Sequence, residues 1–299
     1  MKYILQTKDL TKEYSHKRAV DNVSLAVRQG DIYGFVGKNG AGKTTFIRMI
    51  LGLTRVTSGS YSFFEGDSSQ DHRRRIGSLV EKPSLYKNMT AKDNLDMYSI
   101  MIGADKAETG RLLDLVGLSD TGKKRVADFS LGMKQRLGIA MALVGDPELL
   151  ILDEPINGLD PKGIAEIREL FLKLKNNGKT IFISSHILGE LEKIASCYGI
   201  ISAGRLVEEI TSEQLHSMSI ERTIIRADRP EDAMAVAKKL LGADKMKIEY
   251  GRLYITGSVP NIGELTNEMF KQGITVTGIT NDNGGAEEYF LKKMEEGQS

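Results

Sequence analysis

Two stretches of this chain carry residue types whose spacing could do chemistry. The first is residues 37–45, GKNGAGKTT. Glycine, four residues, glycine, lysine and threonine is the spacing of a phosphate-binding loop. Its glycines let Gly37, Lys38, Asn39, Gly40, Ala41 and Gly42 curl until their backbone N–H groups converge on phosphate oxygens. Lys43 can reach the terminal phosphates, the Thr44 hydroxyl can hold Mg²⁺, and Thr45 ends the loop. The second stretch is Asp153-Glu154, directly after the aliphatic run Leu149-Leu150-Ile151-Leu152. An aspartate at a strand end can hold Mg²⁺ directly or through water, and the glutamate beside it can polarise an attacking water. His186 closes a further strand-like run and is placed to contact the terminal phosphate. An acidic pair alone is ordinarily exposed charge, and a lone histidine ordinarily a satisfied hydrogen-bonding residue. The phosphate loop tips both toward function.

The elements that must position these residues read as alternating strands and helices. Apolar residues 32–36 precede the loop and a helical pattern, residues 46–51, follows it. The run 149–152, a helix over 161–175 with an apolar stripe from Ile164 to Leu174, and a strand over 180–184 repeat the alternation. This pattern predicts an α/β fold with a parallel core sheet, whose ligands bind beyond the carboxyl ends of the strands. Gly37, Asp153 and His186 all fall just past such ends. Upstream, residues 3–7 and 24–27 read as strands of an N-terminal β part, with turn signals at Asp21-Asn22 and 29–31. Tyr14 stands before the second of them, where an aromatic ring could stack on a purine or simply be half buried. Residues 85–147 read as a helical subdomain: Thr90 caps one helix, Gly117 stops another, and Ser130 and Gly132 precede a third over 134–144. From about Ile220 the pattern changes to a small α+β domain, 220–299, without catalytic constellation or repeat. The expected division is therefore 1–219 and 220–299.

Composition narrows the partners. A formal net charge of +1 gives no basic footprint for nucleic acid, and the run Arg73-Arg74-Arg75 is short enough to be a solvated face. The one cysteine, Cys197, excludes an intramolecular disulfide and suits a reducing compartment. No signal-peptide shape or bilayer-length apolar run is expected, so membrane-spanning helices would come from another chain.

Taken in order, the loop 37–45, the segment 129–136 (FSLGMKQR), the run 149–155, the turn Asn157-Gly158-Leu159-Asp160 and His186 resemble the ABC ATPases over about residues 1–215. Within that family the wording of 130–137, with glutamate at 81, is similar to the ATP-binding subunits of bacitracin and lantibiotic-type peptide exporters. The resemblance implies a P-loop NTPase that binds ATP and Mg²⁺. It also implies head-to-tail closure of two such domains, each ATP held between the loop of one and Ser130 and Gly132 of the other. Thr44, Asp153 and Glu81 would serve Mg²⁺, Glu154 would be the general base, and Lys43 and His186 would contact phosphate. Tyr14 would stack on adenine and Asp160 would communicate across the dimer. The segment after Glu81, through Leu85-Tyr86 and residues 88–90, would dock an integral membrane permease, placing the protein at the cytoplasmic face of the membrane.

Two departures stand out. Phe129, Leu131 and Met133 replace the first, third and fifth residues of the usual Leu-Ser-Gly-Gly-Gln, and leucine lacks the backbone range of glycine. Glu81 stands where most members carry glutamine, adding charge near the terminal phosphate. The competing expectation is a non-transport ABC ATPase acting as a regulatory or nucleic-acid-associated module. It is disfavoured by the absence of a second ATP-binding domain or a coiled-coil insertion, and no nucleic-acid partner is expected.

Overall fold

Burial on both faces decides the architecture around the loop. In chain order the first elements are β1 (Tyr3–Tyr14), β2 (Lys17–Val23), β3 (Ala26–Arg28), β4 (Ile32–Val36), α1 (Lys43–Ile50), β5 (Ser58–Phe63) and β6 (Ile76–Leu79). The helices α2 (Ala91–Ile102), α3 (Thr109–Leu115) and α4 (Leu131–Ala142) follow. Next come β7 (Leu149–Asp153), α5 (Pro161–Asn176), β8 (Thr180–Ser185), α6 (Leu188–Leu191), β9 (Cys197–Ser202) and β10 (Arg205–Thr211). These come from a computed structural model, which describes residues 2–15, 17–65, 72–218, 222–242, 246–257, 259–282 and 286–297. The change of character expected at Ile220 lies outside them.

Every residue of β4, β7 and β8 is buried, as in strands covered on both faces. They lie in a six-stranded sheet ordered β10-β9-β4-β8-β7-β6, in which all neighbours are parallel except β10 against β9. An antiparallel sheet is built on β1, which pairs with β2, β3 and β5. Phe46, Ile47 and Met49 of α1 join Leu5, Leu10 and Val20 on one side and Phe35, Ile151 and Phe182 on the other in one core. Its centre is aromatic: Phe35 lies 4.9 Å from Phe46 and 5.4 Å from Phe182, ring centre to ring centre. The loop helix is thus held by both sheets. Thr90 caps α2 through a reciprocal box with Asp93, and Ser130 caps α4.

Asp21-Asn22 is not a turn but part of β2, where Asp21 accepts hydrogen bonds from Arg205 Nε and Arg18 Nη1, both at 2.8 Å. Those guanidinium groups, Arg205 foremost, hold its carboxyl below the usual range. Helix α4 starts at Leu131, so Gly132 lies within it rather than before it. Burial pushes the Cys197 thiol up to about 11, which keeps it protonated and unreactive.

Contacts divide the chain into Met1–Ser212 with Leu291–Ser299, and Glu213–Phe290. Beyond β10 run α7 (Ser212–Met218), β11 (Arg222–Ala227), α8 (Pro230–Leu241), β12 (Met246–Glu249), β13 (Arg252–Thr256), α9 (Ile262–Lys271), β14 (Val276–Asp282) and α10 (Ala286–Glu296). The second unit is an antiparallel sheet, β12-β13-β11-β14, with the βαββαβ order of split βαβ folds. Ile225, Leu253 and Ile255 pack there with Val236, Leu265 and Met269 of α8 and α9. The end of α10 belongs to the first unit, where Ser202 Oγ donates to the Met294 carbonyl at 2.7 Å and Lys293 pairs with Glu208 at 3.4 Å.

Backbone of β6 comes close to the end of α4: a Cβ on Gly77 would lie 1.8 Å from the Ala142 carbonyl oxygen. Gly77→Ala is expected to destabilise the protein by about 1–3 kcal/mol, the cost of overpacking, read as a lower urea midpoint. An unchanged midpoint would show that the two elements do not meet so closely.

Candidate active site

From Val36 the chain turns through residues 37–42 into α1. Gly42 is the N-cap, with φ 109, and no side chain caps the helix. Only glycine fits: besides the left-handed backbone, a Cβ there would lie 2.4 Å from the Ala19 carbonyl oxygen. The first-turn N–H groups of α1 therefore have no capping side chain, the arrangement that receives anions. Lys43 is buried, and its Nζ donates to the Gly37 carbonyl at 2.6 Å and the Lys38 carbonyl at 3.2 Å. It also stands 3.2 Å from Glu154 Oε1.

Parallel registers bring the rest together. Asp153 pairs with Ser184 across β7 and β8, and Val36 pairs with Ser185 across β4 and β8. Thr44 Oγ1 donates to Asp153 Oδ2 at 2.8 Å, and Ser184 Oγ donates to Asp153 Oδ1 at 2.5 Å. The Glu154 N–H donates to the same Ser184 Oγ at 3.0 Å. Glu154 has φ 49, a left-handed backbone that a glutamate keeps only when its surroundings impose it. Its Oε2 accepts from His186 Nδ1 at 2.8 Å, since an ionised carboxylate only accepts. Its Oε1 is buried and accepts no hydrogen bond among the described residues. A hydroxyl beside a buried carboxylate is a hard-oxygen donor set of the kind Mg²⁺ takes, and Glu154 Oε1 has the Lys43 ammonium as its ion-pair neighbour.

The loop faces a cavity of about 500 Å³ whose walls include Asn39, Gly40, Gly42, Lys43, Thr44, Thr45 and Glu154. Lys17, Arg18, Ala19, Ala203 and Gly204 complete it. Tyr14 is not among its walls; it is half exposed at the end of β1, with the Lys12 ammonium 4.7 Å over its ring. Ser130, Gly132 and Asp160 share a different cavity of about 390 Å³. Because Leu131 lies inside α4, its backbone is ordinary helix and the missing glycine imposes no strain there. Glu81 is tied to Arg48 at 2.6 Å. Beside it, a groove of about 500 Å³ is walled by Leu79, Pro83, Leu85, Tyr86, Tyr98 and Met101, and Tyr86 and Met101 are exposed.

Two contributions escape a reading of the sequence. Ser184 orients both acidic residues, yet it is one of two adjacent serines at the end of β8 with nothing local to distinguish it. The β9–β10 turn carries Gly204, whose N–H donates to the Ala41 carbonyl at 2.9 Å and whose carbonyl accepts from the Asp21 N–H at 2.8 Å. No local signal marks either. Ser184→Ala is expected to lower ATP turnover about tenfold, the scale of one lost hydrogen bond to a buried charge, with Ser184→Thr retaining most of it. Unchanged turnover in the alanine variant would remove Ser184 from the site.

The geometry agrees with the comparisons. Residues 20–157 match the model of the ABC transporter family. The bacitracin transport ATP-binding protein BcrA of Bacillus licheniformis is 43% identical over 298 residues, spanning 98% of this chain and 97% of its own length. The lantibiotic transport ATP-binding protein SrtF of Streptococcus pyogenes is 45% identical over 206 residues, 69% of this chain and 90% of that protein. A solved ATP-binding subunit of an ABC transporter superposes with a TM-score of 0.63 at 32% identity, over 72% of this chain and 92% of that one. The phosphate loop and the two carboxylates at the end of β7 therefore sit in a chain that belongs to the ABC transporter family, as one of its ATP-binding, ATP-hydrolysing subunits.

Proposed function

We propose that this chain hydrolyses ATP between two of its copies to drive export of a membrane-active peptide antibiotic through a separate permease. The observation that carries the reading is the chain of hydrogen bonds from Thr44 through Asp153 and Ser184 to Glu154, at the uncapped start of α1. The export substrate rests on the names of the two relatives.

The backbone N–H groups of residues 37–45 and the Lys43 ammonium bind the phosphates of ATP. Thr44 and Asp153, joined by Glu81 once it leaves Arg48, would hold Mg²⁺, which would supply charge neutralisation at the terminal phosphates. Glu154 is the general base: Oε1 takes the proton of the attacking water while Oε2 stays fixed by His186 Nδ1. His186, held by Glu154, then lies beside the γ-phosphate. Tyr14 stacks on the adenine. Ser130 and Gly132 sit in a cavity apart from the loop, as half-sites completed by a second copy would, and Asp160 lies beside them. Head-to-tail pairing would place the α4 N-terminus of one copy against the ATP of the other, with Asp160 relaying across the interface.

The groove after β6, with Tyr86 and Met101 exposed along it, is where the permease docks. Among the described residues no helix is long and apolar enough to cross a membrane. The working place is the inner face of the membrane, reached through that partner.

The test is Glu154→Gln, followed by size-exclusion chromatography with and without Mg-ATP. Removing the base should trap a dimer that elutes earlier only with nucleotide. ATP binding without any shift at saturating Mg-ATP would overturn the head-to-tail assembly, and failure to bind ATP would overturn the site itself.

A further inference from the structure

Glu81 is assigned to the metal corner, yet its carboxylate is engaged elsewhere. Its Oε1 accepts from Arg48 Nη2 at 2.6 Å. Arg48 stands on α1 four residues beyond Thr44, so the two side chains leave one face of that helix a turn apart. Glu81 itself has φ 60, a left-handed backbone that points its side chain toward α1 under constraint. The pair is 44% and 58% exposed, so water and competing ions reach it and it opens readily.

Charge gives this contact its meaning. The corner where Thr44 meets Asp153 already holds two carboxylates, Asp153 and Glu154, beside a site for phosphate. A third carboxylate there repels both the others and the nucleotide, unless a cation takes up its charge. Arg48 is the cation that holds it.

We propose that Arg48 is a positioning residue for Glu81. It engages the carboxylate from a position one helical turn beyond Thr44, and competes with a divalent cation for it. Arg48 thereby sets how tightly the corner takes the cation and how strongly it repels nucleotide without metal. The proposal rests on the site reading above.

The experiment uses the full chain carrying Glu154→Gln, so that no hydrolysis occurs. Mn²⁺ binding to the ATP-loaded protein is titrated by electron paramagnetic resonance, and ATP binding in excess chelator by equilibrium dialysis. Arg48→Met frees Glu81 and should tighten Mn²⁺ by about threefold to fivefold, the size of an exposed ion pair. It should weaken metal-free ATP by a similar factor. Arg48→Lys should behave as the parent, and both effects should vanish when Glu81→Gln is present as well. Equal shifts with and without Glu81→Gln, or no shift in either constant, would overturn the proposal while leaving the site intact. A parent that bound no nucleotide would overturn the site reading and this proposal together.

Discussion

One register holds the site together: Asp153 beside Ser184 at the ends of β7 and β8, with Val36 beside Ser185 one strand over. Parallel strands place their carboxyl ends on one edge, so a slip of a single residue would turn Asp153 away from Thr44. Nothing at the edge itself could repair that. The strands that carry this register are buried on both faces in the centre of the sheet. Stability and chemistry here share one cause.

The loop depends on the same core from the other side. α1 cannot shift without disturbing Phe35, Phe46 and Phe182, so its uncapped N-terminus is fixed before any phosphate arrives. The hydrogen bond between Gly204 and Ala41 braces the loop's outer flank. Against this stiff background, Glu81 and Glu154 are among the acidic residues that adopt left-handed backbones. Such conformations persist only where their surroundings enforce them: Glu154 is held by Ser184 and His186, and Glu81 by Arg48.

Much of this was legible in the letters. The loop, the aliphatic run before Asp153 and the capping threonine at 90 are local patterns, and each lies where its pattern implies. What escaped was long-range or masked by a stronger local signal. Asp21-Asn22 looks like a turn because both residues favour turns, but Arg18 and Arg205 neutralise Asp21 and let β2 continue through it. Ser184 gains its meaning from partners that only the sheet brings beside it. Arg48 reads as one more basic letter on a helix until Glu81 is seen at its tip. Leu131 replaces a glycine whose backbone range helical geometry does not require.

The amphipathic pattern of α10 likewise does not say which surface covers its apolar face, and the answer changes the anatomy of the chain. Residues 291–297 return to the unit that the chain left at Ser212. In connectivity the small βαββαβ unit is thus an insertion and not a tail. A chain ended at residue 219 would lose more than an appendage. The buried Ser202 hydroxyl would lose its acceptor and Glu208 its lysine, on the very hairpin whose turn walls the nucleotide cavity. Truncation, the ordinary way to ask what an extension does, would here injure the ATP-binding unit and the extension together.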